Sequence, residues 1–203
     1  EDAVATNPTF FSLWIGNNDV LGYATSGGNG SNPITDTPTF DFAMTTLVET
    51  LTANGAKGII ANIPDVTAIP FFTTVSYNPI PLDAATAGQL NAAYATYNGG
   101  LQTAFQALAG TGLFTQEELD RRTINFVEGN NAVVIFDEFL TDFGAINPAF
   151  AGLPQLRQTT AADLITLPTA SLLATGGGTA TPLSDSNVLT PEEQEEILQA
   201  TTT

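Results

Sequence analysis

Phe10-Phe11-Ser12-Leu13-Trp14-Ile15, closed at once by Gly16-Asn17-Asn18-Asp19, is the stretch on which the fold depends. An apolar, aromatic-rich run too short for a helix and bounded by turn residues reads as a buried strand ending in a polar loop. Working outward, the Gly- and Asn-rich residues 27–32 form a surface loop. Thr37 then offers an N-cap with Pro38 at the first helical position. Phe42, Leu47, Val48 and Leu51 follow at mostly helical spacing, predicting a helix over 38–53 that Asn54-Gly55 stops. Gly58-Ile59-Ile60-Ala61-Asn62-Ile63 is a second short apolar run, broken by Pro64. Strand, helix and strand in that order predict a right-handed parallel crossover, and with it an α/β fold of doubly wound type.

The composition removes whole classes of chemistry. The 203 residues contain no His and no Cys, so this chain cannot by itself assemble a Ser-His-Asp or Cys-His nucleophile, a zinc finger, a dithiol redox pair or a disulfide framework. Four Lys plus Arg against 21 Asp plus Glu give a net charge of -17. Lys57, Arg121, Arg122 and Arg157 are too few to neutralise a phosphate backbone, which argues against nucleic acid and against anionic membrane surfaces. At 43% hydrophobic and 12% charged residues, the chain has the means to bury a core. No stretch approaches the ~20 apolar residues of a membrane-spanning helix.

Further along, Leu90, Tyr94, Tyr97, Leu101, Phe105 and Leu108 recur at helical steps within residues 82–108, where Gly99-Gly100 could bend or split the helix. Thr115-Gln116-Glu117-Glu118 matches a capping box for a short helix ending near Arg122. Ile124–Val127 and Val133–Phe136 flank Gly129-Asn130-Asn131 as a hairpin or as two strands joined by a turn. The chain from Pro148 to Ala162 reads as irregular, and Thr190-Pro191-Glu192-Glu193 announces a last helix with little sequence left to run. With its first strand so near residue 1, the whole of 1–203 reads as the central part of one domain.

Ligands of open α/β sheets bind at the carboxyl ends of the strands. Gly16 would let backbone approach a reacting group there, and the Asn18 amide could donate to a developing oxyanion. On spacing alone a plain polar turn explains these four residues as well. The second strand also ends in a proline-stiffened loop, Asn62-Ile63-Pro64-Asp65, followed by Ile69-Pro70-Phe71-Phe72, so two strand ends would face one crevice. Asp65, Phe71 and Phe72 are the substrate-side candidates, with the two rings lining an acyl pocket or packing under the sheet.

Carboxylates at Asp137, Glu138 and Asp142 suit calcium but lack regular ligand spacing, and read as a solvated strand-end loop. Glu192, Glu193, Glu195 and Glu196 read as a water-facing helix start. No metal and no cofactor is expected.

Several segments together resemble the SGNH or GDSL hydrolases, in particular the branch of GDSL-like lipases of Bacteroidetes type. They are Trp14-Ile15-Gly16-Asn17-Asn18-Asp19, matching that family's Gly-x-Asn-Asp block, residues 61–75, residues 163–178, and Pro182-Leu183-Ser184-Asp185 leading into Val188-Leu189-Thr190-Pro191-Glu192. The resemblance implies a flavodoxin-like three-layer α/β/α sandwich with a mainly parallel sheet. It implies hydrolysis of small carboxylic or lipid esters by a Ser nucleophile with a His-Asp pair, in which Gly16 and Asn18 belong to the oxyanion hole and Asp19 orders the loop. The family's Gly-Asp-Ser and Asp-x-x-His blocks are not among these residues, so neither a nucleophile nor a general base is assigned here. A secreted or cell-surface, outer-membrane-associated location fits the family's lipoprotein members, although no anchor cysteine occurs in these residues. The alternative expectation is a noncatalytic acidic binding subunit of a larger envelope assembly on the same scaffold.

Overall fold

The computed structural model describes residues 2–202. After one helical turn, α1 (Asp2–Ala5), strand β1 (Phe10–Leu13) lies parallel to β2 (Lys57–Ile60), with Phe10 opposite Lys57 and Leu13 opposite Ile60. The connection holds two helices, α2 (Asn17–Thr25) and α3 (Thr37–Thr52). The expected strand, helix and parallel strand are therefore present with one helix more than the sequence announced. Asn17-Asn18-Asp19 is the first turn of α2 rather than an open loop. Gly16 reverses the chain at φ 96°, and Val20, Tyr23 and Ala24 then supply the buried stripe at i, i+3 and i+4 that makes a helix worthwhile. Asp36, one residue ahead of the expected Thr37, caps α3 by accepting from the Thr39 N–H at 3.1 Å.

The first strand is not buried. Phe10 is 59% exposed and Ile59, in its partner strand, 61%. Helix α3 buries no residue, leaving Phe42 74% exposed. An apolar run signals an interior only when layers cover both faces of its sheet, and this parallel pair has two strands whose residues are largely exposed.

Downstream come α4 (Pro70–Thr73), β3 (Ile80–Leu82), α5 (Ala84–Ala107), α6 (Gln116–Arg122), β4 (Gly129–Asn131), β5 (Val134–Phe136), α7 (Phe143–Ile146), β6 (Leu156–Gln158), β7 (Leu164–Ile165), α8 (Ala170–Leu173), β8 (Val188–Leu189) and α9 (Pro191–Thr202). Among the described residues the strands form four separate pairs, and β3·β4, β5·β6 and β7·β8 are all antiparallel. The chain is thus mixed α/β, and the single mainly parallel sheet expected from the sequence is replaced by small pairs. Strand β6 falls inside the stretch read as irregular, and α9 runs for 12 residues, longer than its start suggested.

Neither a hairpin nor a turn between two strands forms across Gly129: residues 129–131 are themselves β4, and of the two flanking runs only 133–136 contains a strand, β5. Residues 124–127 stay extended without joining a strand ladder, because two amides on α5 take the place of a neighbouring strand. Asn98 accepts from the Ile124 N–H at 3.1 Å and donates to its carbonyl at 2.8 Å, and Asn91 does the same for Phe126 at 2.7 and 2.8 Å. One face of α5 therefore satisfies buried backbone that would otherwise be orphaned. The helix continues unbroken through Gly99-Gly100. Gly100 has a packing reason, since a Cβ there would lie 2.5 Å from Leu153 Cδ2.

The core is a chain of clusters. Phe72, Val20, Tyr23, Leu189 and Ile197 tie α2 and α4 to α9. Val133, Ile135, Ile165, Leu183 and Val188 pack around β5, which is flanked on one side by β6 and on the other by the segment ending at Leu183, whose N–H donates to the Val134 carbonyl. Leu101, Phe114, Leu119 and Phe143 close the far end.

Candidate functional site

The carboxyl ends of β1 and β2 meet at a cavity of about 310 Å³ whose lining includes Ile15, Asp19, Phe40, Met44, Asn62 and Ile63. Ala200 and Thr201 of α9 close one side. Gly16 stands at its edge in left-handed conformation, and a Cβ there would lie 2.7 Å from Ile63 Cδ1 and 3.1 Å from Phe40 Cε2. Conformation and packing thus both require glycine where the two strand ends come together. No side chain caps α2; the Asp19 and Val20 N–H groups donate to the Gly16 carbonyl at 3.1 and 3.3 Å, which leaves those of Asn17 and Asn18 for solvent or an anionic group. Asn17 Oδ1 is buried there without a hydrogen-bond partner.

Asp19 Oδ2 accepts from the Thr35 N–H at 2.9 Å and Oδ1 from the Thr35 hydroxyl at 3.0 Å, tying α2 to the segment entering α3. Asn18, next to Asp19 in sequence, is exposed on the first turn of α2 and is not among the residues lining the cavity. The structure therefore brings Gly16, Asp19 and the loop after β2 to one crevice, with Asn18 on its outer rim.

The other sequence candidates lie elsewhere. Phe72 is 1% exposed in the core cluster with Val20 and Ile197, and Phe71 packs edge-on against it with ring centroids 5.0 Å apart. Of the two alternatives for these rings, packing is the one realised for Phe72. Asp65 starts a 3-10 turn over Val66–Ala68, accepting from the Thr67 N–H at 2.9 Å and its hydroxyl at 2.6 Å. It lines a different cavity, of about 510 Å³, shared with Leu164, Gln194, Ile197 and Leu198.

The acidic residues are where sequence reading departed most from the structure. Asp137 is fully buried, not solvated: it receives the Arg157 Nε and, at 3.1 Å, Arg121 Nη2. Arg157 also forms a two-pronged pair with Asp163, Nη2 to Oδ1 at 2.6 Å and Nη1 to Oδ2 at 2.7 Å. Burial by itself pulls the Arg157 guanidinium down, but the hydrogen bonds and charges of Asp163 and Asp137 outweigh it and hold the group above its ordinary value. Asp142 caps α7 by accepting from the Ala145 N–H.

Glu193 does not face water either, being fully buried, while Glu196 accepts from the Tyr23 hydroxyl at 2.6 Å. Burial, then the Glu196 hydrogen bond and charge, push the Tyr23 phenol well above its usual range. The one legible signal for Glu193 was Thr190-x-x-Glu193, a capping pattern that brings a glutamate back to the chain; nothing local said that it would be buried.

Among the described residues no helix is long and apolar enough to cross a membrane. Compared with protein-family models, curated proteins and solved structures, the chain finds no match.

Proposed function

We propose that this chain carries the oxyanion side of a carboxylic-ester hydrolase of SGNH type, with Ser nucleophile and His base contributed from outside these 203 residues. The observation that carries the reading is the Gly16 turn. It ends a parallel strand at φ 96° and opens an uncapped helix N-terminus beside a crevice shared with the neighbouring strand end. Donors held rigidly at such a position suit a charge that appears on an ester oxygen only in the transition state. Asn18, on the first turn, adds a side-chain amide that could swing over the rim, and Ile15, Phe40, Met44 and Ile63 give the crevice an apolar floor suited to an acyl chain.

The exposed apolar residues of β1, β2 and α3 support the same reading. A parallel pair exposing Phe10, Ile59 and Ile60 belongs inside a wider sheet with helices over both faces, the flavodoxin-like sandwich. The nucleophile would come from an element added there.

The test is hydrolysis of p-nitrophenyl esters by the full-length gene product. Asn18→Ala should lower turnover about 10²–10³-fold with circular dichroism unchanged, the usual cost of deleting one oxyanion donor. Unchanged turnover removes Asn18 from the mechanism, and no esterase activity in the unsubstituted protein removes the reading.

A further inference from the structure

Three carboxylates distant in sequence converge beside the start of α9. Glu138 follows β5, Asp185 opens the 3-10 turn Asp185–Asn187, and Glu193 stands in the first turn of α9; one oxygen from each lies within 4.8 Å of the others. Among the described residues, no Lys or Arg pairs with any of the three, since Arg121, Arg122 and Arg157 are engaged with Asp137, Glu192, Glu118 and Asp163.

Glu193 supplies the independent evidence that a ligand is missing. Its Oε2 accepts from the Thr190 N–H at 2.5 Å and the Thr190 hydroxyl at 2.8 Å, which accounts for the helix cap. Its Oε1 is buried without a hydrogen-bond partner, and so is Asp185 Oδ1. A buried carboxylate oxygen facing other carboxylates and no donor is strongly unfavourable unless a cation or a proton sits between them. The Gly27-Gly28 turn presses on the same spot: Gly28 has φ 71°, and a Cβ on it would fall 2.2 Å from Glu193 Oε1. Glu138 is exposed, so one side remains open to water.

We propose that Glu138, Asp185 and Glu193 form a Ca²⁺ site. An all-oxygen, all-carboxylate set selects a hard cation. Ligand oxygens within 4.8 Å of one another can all reach one ion bonded at roughly 2.4 Å, and Mg²⁺, which dehydrates reluctantly and keeps several waters, is less suited to a set of three protein carboxylates. Exposed Glu138 leaves room for the waters that complete the coordination. The ion would join the loop after β5, the 185–187 turn and the start of α9. It would thereby fix the helix whose far end, at Ala200 and Thr201, lines the β1·β2 crevice. The site does not depend on the ester-hydrolase reading.

The test is calorimetric titration of the EDTA-dialysed full chain with CaCl₂ at pH 8, alongside thermal melts. The expected result is one Ca²⁺ per chain, a melting midpoint raised by the ion, and affinity weakened at least tenfold in both Glu193→Gln and Glu138→Gln. The second variant changes an exposed side chain and keeps the comparison valid should the first fail to fold. Heat that survives in both variants comes from scattered surface acids and overturns the site. So does an unmoved midpoint at 10 mM CaCl₂, which would mean that shared protons hold the carboxylates together. An equal response to MgCl₂ overturns the choice of Ca²⁺.

Discussion

Asp163→Ala should be among the most damaging single substitutions in this protein. Asp163 is buried, and both of its oxygens are engaged by Arg157 at 2.6 and 2.7 Å; Oδ2 also accepts from the Thr160 N–H and hydroxyl at 2.6 and 2.9 Å. The substitution leaves the Arg157 guanidinium, 1% exposed, with Asp137 as its remaining carboxylate, already shared with Arg121. Removing one partner of a buried ion pair costs about 3–5 kcal/mol, mostly the penalty of the charge left behind. In a domain of this size that lowers the melting midpoint by roughly 6–20 °C. Arg157→Met should cost about as much, because it leaves buried Asp163 without a cation and Asp137 with Arg121 alone. The assay is urea unfolding followed by circular dichroism, with Glu117→Ala, at an exposed position, as the control expected within about 0.5 kcal/mol of the parent. A loss below about 1 kcal/mol for Asp163→Ala, the scale of a surface pair, would refute the reasoning.

Three further outcomes follow from the geometry. Gly16→Ala should lose about 1–3 kcal/mol in the same urea assay, from a left-handed Cβ and contact with Ile63 and Phe40; a neutral result would show that the turn relaxes freely. Asn91→Ala should cost about 1–3 kcal/mol by orphaning the Phe126 backbone, with amide exchange at Phe126 accelerated and that at Ile124, held by Asn98, unaffected; equal acceleration at both would mean the segment opens as one unit. Tyr23 keeps its proton more tightly folded than unfolded, so its contribution to stability is complete below about pH 10 and is lost as pH rises beyond it. Tyr23→Phe should lower stability at pH 8 and flatten the decline above pH 10; an equally steep alkaline decline in the variant would assign that decline to other groups.

Local signals carried through where the structure they encode is itself local. The crossover pair, the cap at Thr115 and the start of α9 could be read because turn residues, capping atoms and apolar spacing act within a few positions. Burial could not be read the same way. Phe10–Ile15 has every mark of an interior strand, but whether it is interior depends on what lies over it. Asp137 and Glu193 have every mark of surface acids, but Arg157 and the Gly27-Gly28 turn, far away in sequence, enclose them. The turn read at Gly129-Asn130-Asn131 failed for the same reason: those residues form β4 and pair with β3, and two asparagines some 30 positions upstream take the backbone of residues 124–126.

That asymmetry also bears on function. The residues that looked chemical by motif, Gly16 to Asp19, sit at or beside a crevice between two strand ends whose apolar residues are largely exposed. Glu193, which looked like an ordinary solvent-facing acid, is instead enclosed beside Asp185, and Glu193 Oε1 and Asp185 Oδ1 are both buried with no donor. The two places are linked by one element, because α9 begins at the carboxylates and ends at the crevice. A cation that orders the first turn of α9 therefore acts on the wall of the crevice through a helix of 12 residues, roughly 18 Å at 1.5 Å per residue. If the cation site holds, removing Ca²⁺ should loosen the Ala200–Thr201 wall, measured as faster amide exchange there. Exchange that quickens only near Thr190 would separate the two sites.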